Sequence, residues 1–347
     1  MNDINNNYFV IYILFVICYS AFYLYKFDFI SRKINVYDIK QKENAIPSSG
    51  GVYIIIFSLI SFGYLFINLN HFDSFKFFFL NYEDQINLSI KEIFIFVSLP
   101  LIFFLIGLFD DKYSLSANVR IFLFIIVTVI LISMDKNSSI NNLNFSFYET
   151  VIQFNEIFAI IFTSLCIISF VVALNMYDGI NLQTTGYLIF LSIVFLVHDI
   201  ILVFISGFII ILIFFSFLNF KNKCYLGDSG TYFCASFVAL LLIKSEQKNI
   251  FYADEVVFLL IIPMLDMFRV ITLRLIRGRH PFKGDKTHLH HLIGRRFNNI
   301  YVFIIILSLN VIAYFSYVFT NKIIFSLIFT LFLYFSIIYH SRKKNAI

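Results

Sequence analysis

Four short acidic segments stand out in this chain because they interrupt an otherwise apolar sequence. Asp110 and Asp111 occur in GLFDDKYSLSANVR, Asp178 in NMYDGINLQTTG, Asp228 in YLGDSGT and Asp266 in IPMLDMFRV. A charged residue at the centre of a membrane helix costs about 2.5–3.5 kcal/mol on insertion scales. One such aspartate alone would be read as a solvated loop residue. Five that share one side of a membrane, with basic residues beside them, predict a functional site.

A basic segment near the C-terminus, which we call the histidine segment, supplies the opposite charge. The run RLIRGRHPFKGDKTHLHHLIGRR contains Asp285, His288, His290 and His291, and Arg120 follows the aspartate pair. Arg and Lys bind phosphates, and His donates to them when it is protonated. A zinc site is the alternative for the three histidines, but no cysteine or fourth ligand accompanies them. The segment therefore favours anion binding.

Carboxylates and basic side chains together indicate chemistry on phosphates. Carboxylate oxygens suit a hard cation such as Mg²⁺, with Mn²⁺ as an alternative, and Mg²⁺ usually shares its coordination sphere with phosphate oxygens and water. In metal-assisted phosphoryl transfer, positioning and charge neutralisation do most of the work. Gly179, Gly227 and Gly230 flank the acids and allow the backbone to approach a ligand closely. The expected site binds phosphate and magnesium.

The elements that must position these residues are membrane helices. Hydrophobic residues make up 60% of the 347 residues, charged residues make up 14%, and the mean hydropathy is +0.86. A soluble domain of this size could not cover so much apolar surface with polar groups. The composition excludes a soluble protein. The net charge of +5 does not indicate nucleic-acid binding, because in a membrane protein the distribution of Lys and Arg reports topology.

Eleven apolar stretches are candidate spans, since a membrane helix needs about 20 residues. Residues 186–220 would form a single helix about 50 Å long, but His198 and Asp199 divide this stretch, so we predict two spans there. The chain is predicted to be one integral membrane domain, residues 1–347. Its predicted fold is an all-α polytopic membrane protein with about eleven transmembrane helices and cytoplasmic catalytic loops. The candidate spans are 8–27, 51–69, 93–109, 119–134, 157–175, 184–197, 200–218, 230–243, 255–276, 301–319 and 323–340.

The distribution of basic residues predicts the orientation of these spans. With the N-terminus outside and the C-terminus in the cytoplasm, 20 of the 26 Lys and Arg residues lie on the cytoplasmic side. Cytoplasmic loops of membrane proteins carry such an excess of basic residues. The acidic segments and the histidine segment all fall on that side, so the predicted site faces the cytoplasm.

Five motifs, in order along nearly the whole chain, resemble those of the polyprenyl-phosphate N-acetylhexosamine-1-phosphate transferases. These are the glycosyltransferase family 4 membrane enzymes that begin many bacterial surface glycans. The HxHH form and the eleven spans resemble the UDP-GlcNAc branch more than the branch that uses the peptidoglycan pentapeptide precursor. The matching residues are Pro47, Gly50 and Gly51; Asp110, Asp111, Leu115, Ser116 and Arg120; Asn175, Asp178 and Gly179; Tyr225, Gly227, Asp228, Ser229 and Gly230; and Pro263, Asp266, Asp285, His288, His290 and His291.

The resemblance implies a reaction and its partners. A Mg²⁺-dependent enzyme of the bacterial inner membrane would transfer a hexosamine-1-phosphate from a UDP-sugar to a polyprenyl (undecaprenyl) phosphate and release UMP. This step would initiate a cell-surface glycan, in cell-wall or lipopolysaccharide biosynthesis. The expected partners are the UDP-sugar, the polyprenyl phosphate lipid and the membrane. No nucleic acid is expected, and a homodimer is left open.

The resemblance also implies roles for single residues. Asp228 is the expected Mg²⁺ ligand with Asp111 near it, and Asp110 is expected to orient or deprotonate the lipid phosphate. Tyr225 is expected to stack on uracil. The remaining expected catalytic residues are Asp178, Arg120, His288, His290 and His291, and the remaining expected substrate-binding residues are Asn175, Asn181, Asp266 and Asp285.

Asn181 departs from the family pattern. The family commonly continues Asp-Gly-x-Asp-Gly-Leu, whereas this chain has Asp178-Gly179-Ile180-Asn181-Leu182-Gln183. An amide carries no charge, so the resemblance predicts the type of reaction better than the identity of the sugar.

Two other classes of membrane protein fit the sequence less well. An intramembrane prenyltransferase of the aspartate-rich type would need two separated Asp-x-x-x-Asp-like clusters, and the chain has no such pair. A multi-pass transporter would need inverted repeats and polar residues at the middle of the membrane. The acids here fall at the ends of the predicted spans, which favours the transferase.

Overall fold

The computed structural model describes residues 12–27, 46–67, 89–200, 202–282 and 284–342. Helices account for most of these residues. A short 3₁₀ helix (Lys136–Ser138) and a hairpin of β1 (Asn142–Phe145) and β2 (Tyr148–Gln153) follow the fourth helix. The helices are α1 (Tyr12–Phe27), α2 (Gly50–Ile67), α3 (Ile90–Tyr113), α4 (Ala117–Ser133), α5 (Glu156–Tyr177), α6 (Gln183–Val197), α7 (Leu202–Phe220), α8 (Gly227–Gln247), α9 (Ala253–Ile276), α10 (Leu289–Ile293), α11 (Asn299–Thr320) and α12 (Ile323–Arg342).

Each predicted span coincides with a helix, and the short helix α10 is additional. Residues 8–11, 68–69 and 201 of the predicted spans lie outside the described residues. Five described helices, namely α3, α5, α9, α11 and α12, are long and apolar enough to cross a membrane. The all-α membrane class is therefore confirmed, but helix length and composition support five crossings and not about eleven. The other long helices are shorter or, in α8, carry Asp228, Lys244 and Glu246.

The hairpin was not predicted from the sequence. Its strands pair antiparallel, with Asn142 opposite Gln153 and Phe145 opposite Tyr148. Carboxylates at the adjacent ends of α8 and α9 hold it in place: the Asn144 N–H donates to Glu246 Oε1 (2.9 Å) and the Ser146 N–H to Asp254 Oδ1 (2.8 Å). These hydrogen bonds join residues about a hundred positions apart. The hairpin therefore leaves no local pattern in the sequence.

Helix α8 forms the centre of the bundle. All its residues from Ser229 to Glu246 are buried, although it is the least apolar of the long helices. It packs against α2, α3 and α5. Small residues such as Gly230, Ala235 and Ser236 let neighbouring helices approach closely, which compensates for the modest hydrophobicity. The helix that carries Asp228 is therefore enclosed by its neighbours.

Helices α3 and α8 are joined by a buried ion pair at the end of the bundle that carries the hairpin. Lys244 of α8 pairs with Glu92 of α3, and their side chains are only 9% and 4% exposed. Leaving one partner of a buried pair alone is strongly destabilising. The pair therefore fixes the position of α3 along α8, whose opposite ends carry Asp110, Asp111 and Asp228.

Candidate active site

Asp111 holds the N-terminus of α8. The residue before this helix, Leu226, has no side chain that can cap it. Instead the Asp111 carboxylate accepts hydrogen bonds from the N–H groups of Asp228 (2.8 Å) and Ser229 (3.1 Å). A carboxylate satisfies free N–H groups and is favoured by the helix dipole at this position. The second member of the aspartate pair thus fixes the turn that carries Asp228.

Three glycines permit the close packing around this turn. A Cβ on Gly51 of α2 would lie 2.4 Å from the backbone nitrogen of Gly230, and one on Gly107 of α3 would lie 2.4 Å from Cα of Ser229. Gly227 has φ +75°, a conformation that L-residues with side chains rarely adopt. The start of α8 is therefore clasped between α2 and α3. The segment 47–51 also pairs with residues 225–226 through backbone hydrogen bonds.

Asn175 and Asp178, at the C-terminal end of α5, face the start of α8. The Asn175 Nδ2 donates to Asp228 Oδ1 (2.6 Å). The Asp178 carboxylate accepts hydrogen bonds from the hydroxyls of Thr184 (2.7 Å) and Thr231 (3.2 Å). Burial raises the pKa of Asp178, and the two threonine hydroxyls offset part of that rise. These contacts tie α5, α6 and α8 together beside Asp228.

Asp110 forms a triangle with Arg120 and Tyr232. Its Oδ2 accepts from Arg120 Nη1 (2.6 Å) and from the Tyr232 hydroxyl (3.1 Å), while Arg120 Nη1 also donates to that hydroxyl (3.1 Å). The sequence analysis did not identify Tyr232. Its position four residues after Asp228, on the same face of α8, was the available signal.

Asp266 holds the histidine segment in place. It accepts hydrogen bonds from Arg269 (2.6 Å), from the Tyr334 hydroxyl of α12 (2.8 Å) and from the Leu289 N–H (3.2 Å). It also lies 3.1 Å from His288 Nδ1. His288 Nε2 lies 3.2 Å from Arg274 Nη2, and a guanidinium only donates. The Nε2 therefore accepts, and Nδ1 carries the proton that bonds to Asp266.

Asp285 holds the same segment from its other side. It accepts hydrogen bonds from Arg274 (3.2 Å) and from the N–H of Thr287 (3.1 Å). Burial alone would raise its pKa, but the hydrogen bonds from Arg274 and Thr287 outweigh burial and lower the pKa to about 2. Asp285 is therefore ionised at neutral pH. The motifs did not reveal Arg269, Arg274 and Tyr334, because these residues act through tertiary hydrogen bonds.

His290 and His291 are neutral at neutral pH in the protein. Burial, followed by the neighbouring His291 and His288, lowers the pKa of His290 to about 3, and burial also lowers the pKa of His291. A Cβ on Gly179 would lie 2.0 Å from His290 Nε2. The imidazole ring of His290 therefore fits only because position 179 has no side chain. His290 and His291 are thus single N–H donors here, and not the cations that the sequence suggested for phosphate binding.

Two cavities meet at Asp228. The first, which we call the basic cavity, has a volume of about 460 Å³. Its polar wall is formed by Arg120, Tyr232, Arg274, His288, His290 and His291, and its apolar wall includes Ala117, Ile121, Phe124, Val172 and Met176.

The second cavity, which we call the amide cavity, has a volume of about 450 Å³. The two cavities share Asn175, Asp178, Gly179 and Asp228. The other residues that characterise the amide cavity are Ser48, Asp110, Asp111, Asn181, Asn219, Asn222, Tyr225 and Asn299.

Asn181 lies at the wall of the amide cavity, in the turn between α5 and α6. Its Nδ2 donates to Oδ1 of Asn222 (2.6 Å), and the Leu182 N–H donates to Oδ1 of Asn219 (2.7 Å). The turn is therefore tied to the connection between α7 and α8 by neutral amides.

The structure brings most of the predicted site residues to these two cavities. Asp266 and Asp285 line neither of them. Asp266 accepts hydrogen bonds from Arg269, Tyr334 and Leu289, and Asp285 accepts them from Arg274 and Thr287. These contacts place the two carboxylates behind the site and not against a substrate. The predicted residues that line a cavity are Asp110, Asp111, Arg120, Asn175, Asp178, Asn181, Tyr225, Asp228, His288, His290 and His291.

Carboxylates, guanidinium groups and imidazoles around two joined cavities are typical of the class of membrane enzymes that act on phosphorylated substrates. The family profile described as glycosyl transferase family 4 matches residues 93–246. That segment runs from α3 to α8 and includes Asp110, Asp111, Asp178 and Asp228. This match covers less than half of the chain, and together with the relatives it supports the family that the motifs predicted.

Curated relatives share the name undecaprenyl-phosphate alpha-N-acetylglucosaminyl 1-phosphate transferase. The protein of Yersinia pestis is 24% identical over 82% of this chain and 76% of its own length. The protein of Salmonella typhi is 26% identical over 55% of each chain, so this chain spans about half of that relative. The protein of Escherichia coli K12 is 31% identical over 22% of each chain.

Proposed function

We propose that this protein transfers an N-acetylhexosamine-1-phosphate from a UDP-sugar to a polyprenyl phosphate, such as undecaprenyl phosphate, and releases UMP. The product would begin a cell-surface glycan. The observation that carries the proposal is the position of Asp228 in the wall shared by the basic and amide cavities. The names of the relatives support the same reaction.

The two cavities offer different groups to the substrates. The amide cavity combines the carboxylates of Asp110 and Asp111 with side-chain amides and the Tyr225 ring, and the amides and the ring suit a nucleoside. The basic cavity offers Arg120, Arg274 and imidazole N–H groups for phosphates. An oxygen of the lipid phosphate attacks the β-phosphorus of the donor, and the bond from that phosphorus to the oxygen bridging to the α-phosphate breaks. The electron pair leaves with UMP, and the lipid becomes a polyprenyl diphosphate sugar.

Asp110 is proposed to orient the acceptor through Arg120 and not to act as a base. Its Oδ2 already accepts hydrogen bonds from the Arg120 guanidinium and the Tyr232 hydroxyl. The lipid phosphate is itself largely ionised near neutral pH. The attack therefore needs no general base.

A Mg²⁺ ion fits the oxygen-rich wall formed by Asp228 and Asp111. Among the described residues no group of three or more His, Cys, Asp and Glu side chains could hold a metal alone, so substrate phosphates and water would complete the coordination. Asp228 is the leading ligand, because both Asp111 oxygens already accept backbone N–H groups. The ion, or Mn²⁺ in its place, would neutralise charge on the donor diphosphate.

The test is UMP release by the purified protein with undecaprenyl phosphate and a panel of UDP-sugars. Replacement Asp228→Asn should lower turnover by about a hundredfold or more, since each 1.36 kcal/mol of transition-state stabilisation is about tenfold in rate. The loss should persist with excess UDP-sugar, and EDTA should abolish wild-type activity. Asp135→Asn, in the loop after α4 at the hairpin end, is the matched control. Wild-type turnover in Asp228→Asn, or no UMP release by the wild type with any UDP-sugar, would contradict the proposal.

The membrane arrangement is part of the proposal. The six helices that length and composition do not support as spans would also cross, which gives eleven crossings of the bacterial inner membrane. An odd number of crossings places the two termini on opposite sides of the membrane. The excess of basic residues then puts the C-terminus in the cytoplasm and the N-terminus outside. UDP-sugars would then reach the site directly. A homodimer stays a prediction.

A further inference from the structure

Tyr232 of α8 lies outside every motif in the sequence, yet its hydroxyl joins charged residues from two other helices. It donates to Asp110 Oδ2 and accepts from Arg120 Nη1, each at 3.1 Å. Its side chain is 2% exposed. Resting on the proposed function, we propose that Tyr232 is a positioning residue that holds Arg120 in place to bind the phosphate of the acceptor lipid.

The ring of Tyr232 is fixed as closely as its hydroxyl. It packs edge-on against Phe124 of α4, with centroids 5.0 Å apart and an interplanar angle of 86°. Phe124 in turn stacks on Phe103 of α3 at 4.6 Å. Both arrangements are favourable for aromatic pairs. The helices that carry Asp110 and Arg120 therefore also determine where the hydroxyl lies.

Arg120 keeps the capacity to bind a ligand. Its side chain is 22% exposed, whereas that of Asp110 is 2% exposed. The contacts with Asp110 and Tyr232 both use Nη1, and a guanidinium carries five N–H donors. Anchoring one nitrogen restricts a long, flexible side chain before the ligand arrives. Such preorganisation increases affinity by lowering the entropy that binding must remove.

The surroundings of Arg120 indicate which phosphate it binds. Helix α4 also contributes Ala117, Ile121 and Phe124 to the apolar wall of the basic cavity. A phosphate at Arg120 therefore lies beside an apolar surface. Of the two substrates only the acceptor joins its phosphate to a hydrocarbon chain, whereas the side-chain amides and the Tyr225 ring that suit a nucleoside lie in the amide cavity. Arg120 is thus placed for the acceptor.

A second tyrosine makes the same pair of contacts elsewhere in the fold. The Tyr334 hydroxyl accepts from Arg269 Nε and donates to Asp266 Oδ1, each at 2.8 Å. Arg269 also donates a hydrogen bond from Nη2 to the Thr287 carbonyl (2.8 Å), and it does not line the basic cavity. A tyrosine between arginine and aspartate therefore fixes the guanidinium in both places, but only Arg120 is presented to a cavity.

The test compares Tyr232→Phe with wild type while each substrate is varied in turn. Loss of one hydrogen bond to a charged group should raise KM for undecaprenyl phosphate by about tenfold, while KM for the UDP-sugar stays within about twofold. Tyr317→Phe is the matched control: this buried tyrosine also donates to a carboxylate, Asp254 (2.5 Å), but at the hairpin end of the bundle. It should change neither KM.

A double-mutant cycle separates positioning from general loosening of the fold. In an Arg120→Ala background, Tyr232→Phe should have no further effect on the acceptor KM, because Tyr232 acts through Arg120. If the two effects multiply, or if Tyr232→Phe changes both KM values equally or neither, the inference is wrong while the proposed function stands. If the wild type itself forms no lipid product, the proposed function is wrong.

Discussion

Asp110 and Asp111 are neighbours in the chain, but their carboxylates serve different parts of the molecule. Successive residues of a helix point about 100° apart. Asp110 therefore binds Arg120 and Tyr232, while Asp111 reaches the N–H groups at the start of α8. One aspartate of the pair fixes a cation and the other fixes the turn that presents Asp228. At the scale of single residues, the acidic pair builds the site as much as it contributes charge to it.

Asn181 offers a residue-scale prediction about choice of the sugar nucleotide. An aspartate at position 181 has no N–H to donate, so Asn181→Asp removes the hydrogen bond from Asn181 Nδ2 to Asn222 Oδ1 (2.6 Å). The Asn222 amide can rotate and donate its own N–H to the new carboxylate instead. One hydrogen bond is kept and a negative charge is added to the amide cavity. We expect activity to be retained within about tenfold of wild type by the usual effect of a single hydrogen bond, with changed kcat/KM ratios among UDP-sugars.

Two further variants test this prediction. Asn144→Asp changes an equivalent amide pair at the hairpin end, where Asn144 Nδ2 donates to Asn249 Oδ1 (2.6 Å), and should leave the ratios unchanged. If Asn181→Ala has wild-type kcat/KM for every UDP-sugar, Asn181 does not contact the donor.

At the scale of elements, the start of α8 depends on how closely α2 and α3 approach it. Gly51 and Gly107 leave no space for a methyl group against the backbone of Ser229 and Gly230. Backbone atoms inside a helix cannot move aside as the end of a side chain can. The position of Asp228 is therefore determined by the distances between helix axes, and small residues at these contacts are a requirement of the site.

Gly107→Ala should reduce activity without touching a substrate. Its Cβ would lie 2.4 Å from Cα of Ser229 and 2.5 Å from the Ser229 nitrogen, so the start of α8 must shift. A displacement of about 1 Å in an active site can cost about a hundredfold in rate. We expect at least about a tenfold loss of turnover at saturating substrates, measured as UMP release.

Gly186→Ala is the control for this prediction. It places the same methyl group in helix α6, where the nearest atoms belong to the Phe303 ring, at 2.5 Å. A ring can rotate away, so turnover should stay near wild type. Equal turnover in Gly107→Ala and wild type would show that the close packing of α2 and α3 against the start of α8 does not control the site.

At the scale of the whole molecule, polar residues collect at the two ends of the helical bundle. One end carries the two cavities and the histidine segment, and the other carries the hairpin with Glu246 and Asp254. The two ends are about 30 Å apart along α8, the thickness of a hydrocarbon core. The fold therefore presents different surfaces to the two sides of a membrane.

Labelling of single cysteines can test the orientation. Glu149 on β2 and Arg279 after α9 are both exposed, and neither lines the basic cavity or the amide cavity. With an impermeant reagent on intact cells, Glu149→Cys should be labelled, and Arg279→Cys should be labelled only after permeabilisation. The parent protein, with its four cysteines, gives the background. Ready labelling of Arg279→Cys in intact cells would reverse the predicted topology.

Hydrophobic patterning predicted where the helices lie, because each must bury or expose apolar residues along its own length. Motif spacing predicted Asp110, Asp178, Asp228 and the histidines. The hairpin was missed because bonds from distant residues stabilise it. Tyr232 was missed because its role depends on three helices meeting. Asp266 was predicted to bind substrate because a motif indicates the type of side chain but not the direction in which its carboxylate faces.

The Lys244–Glu92 pair has a consequence for the order in which the chain assembles. The two residues are 152 positions apart, and four helices, α4 to α7, separate α3 from α8. During synthesis α3 must therefore enter the bilayer with an acid that has no partner until α8 arrives. An unpaired acid can be accommodated near the interface by local adjustment of lipid and water. The early helices would thus keep a provisional arrangement until α8 is inserted, and the active site would be complete only after Arg274 and the histidines that follow α8 have been added.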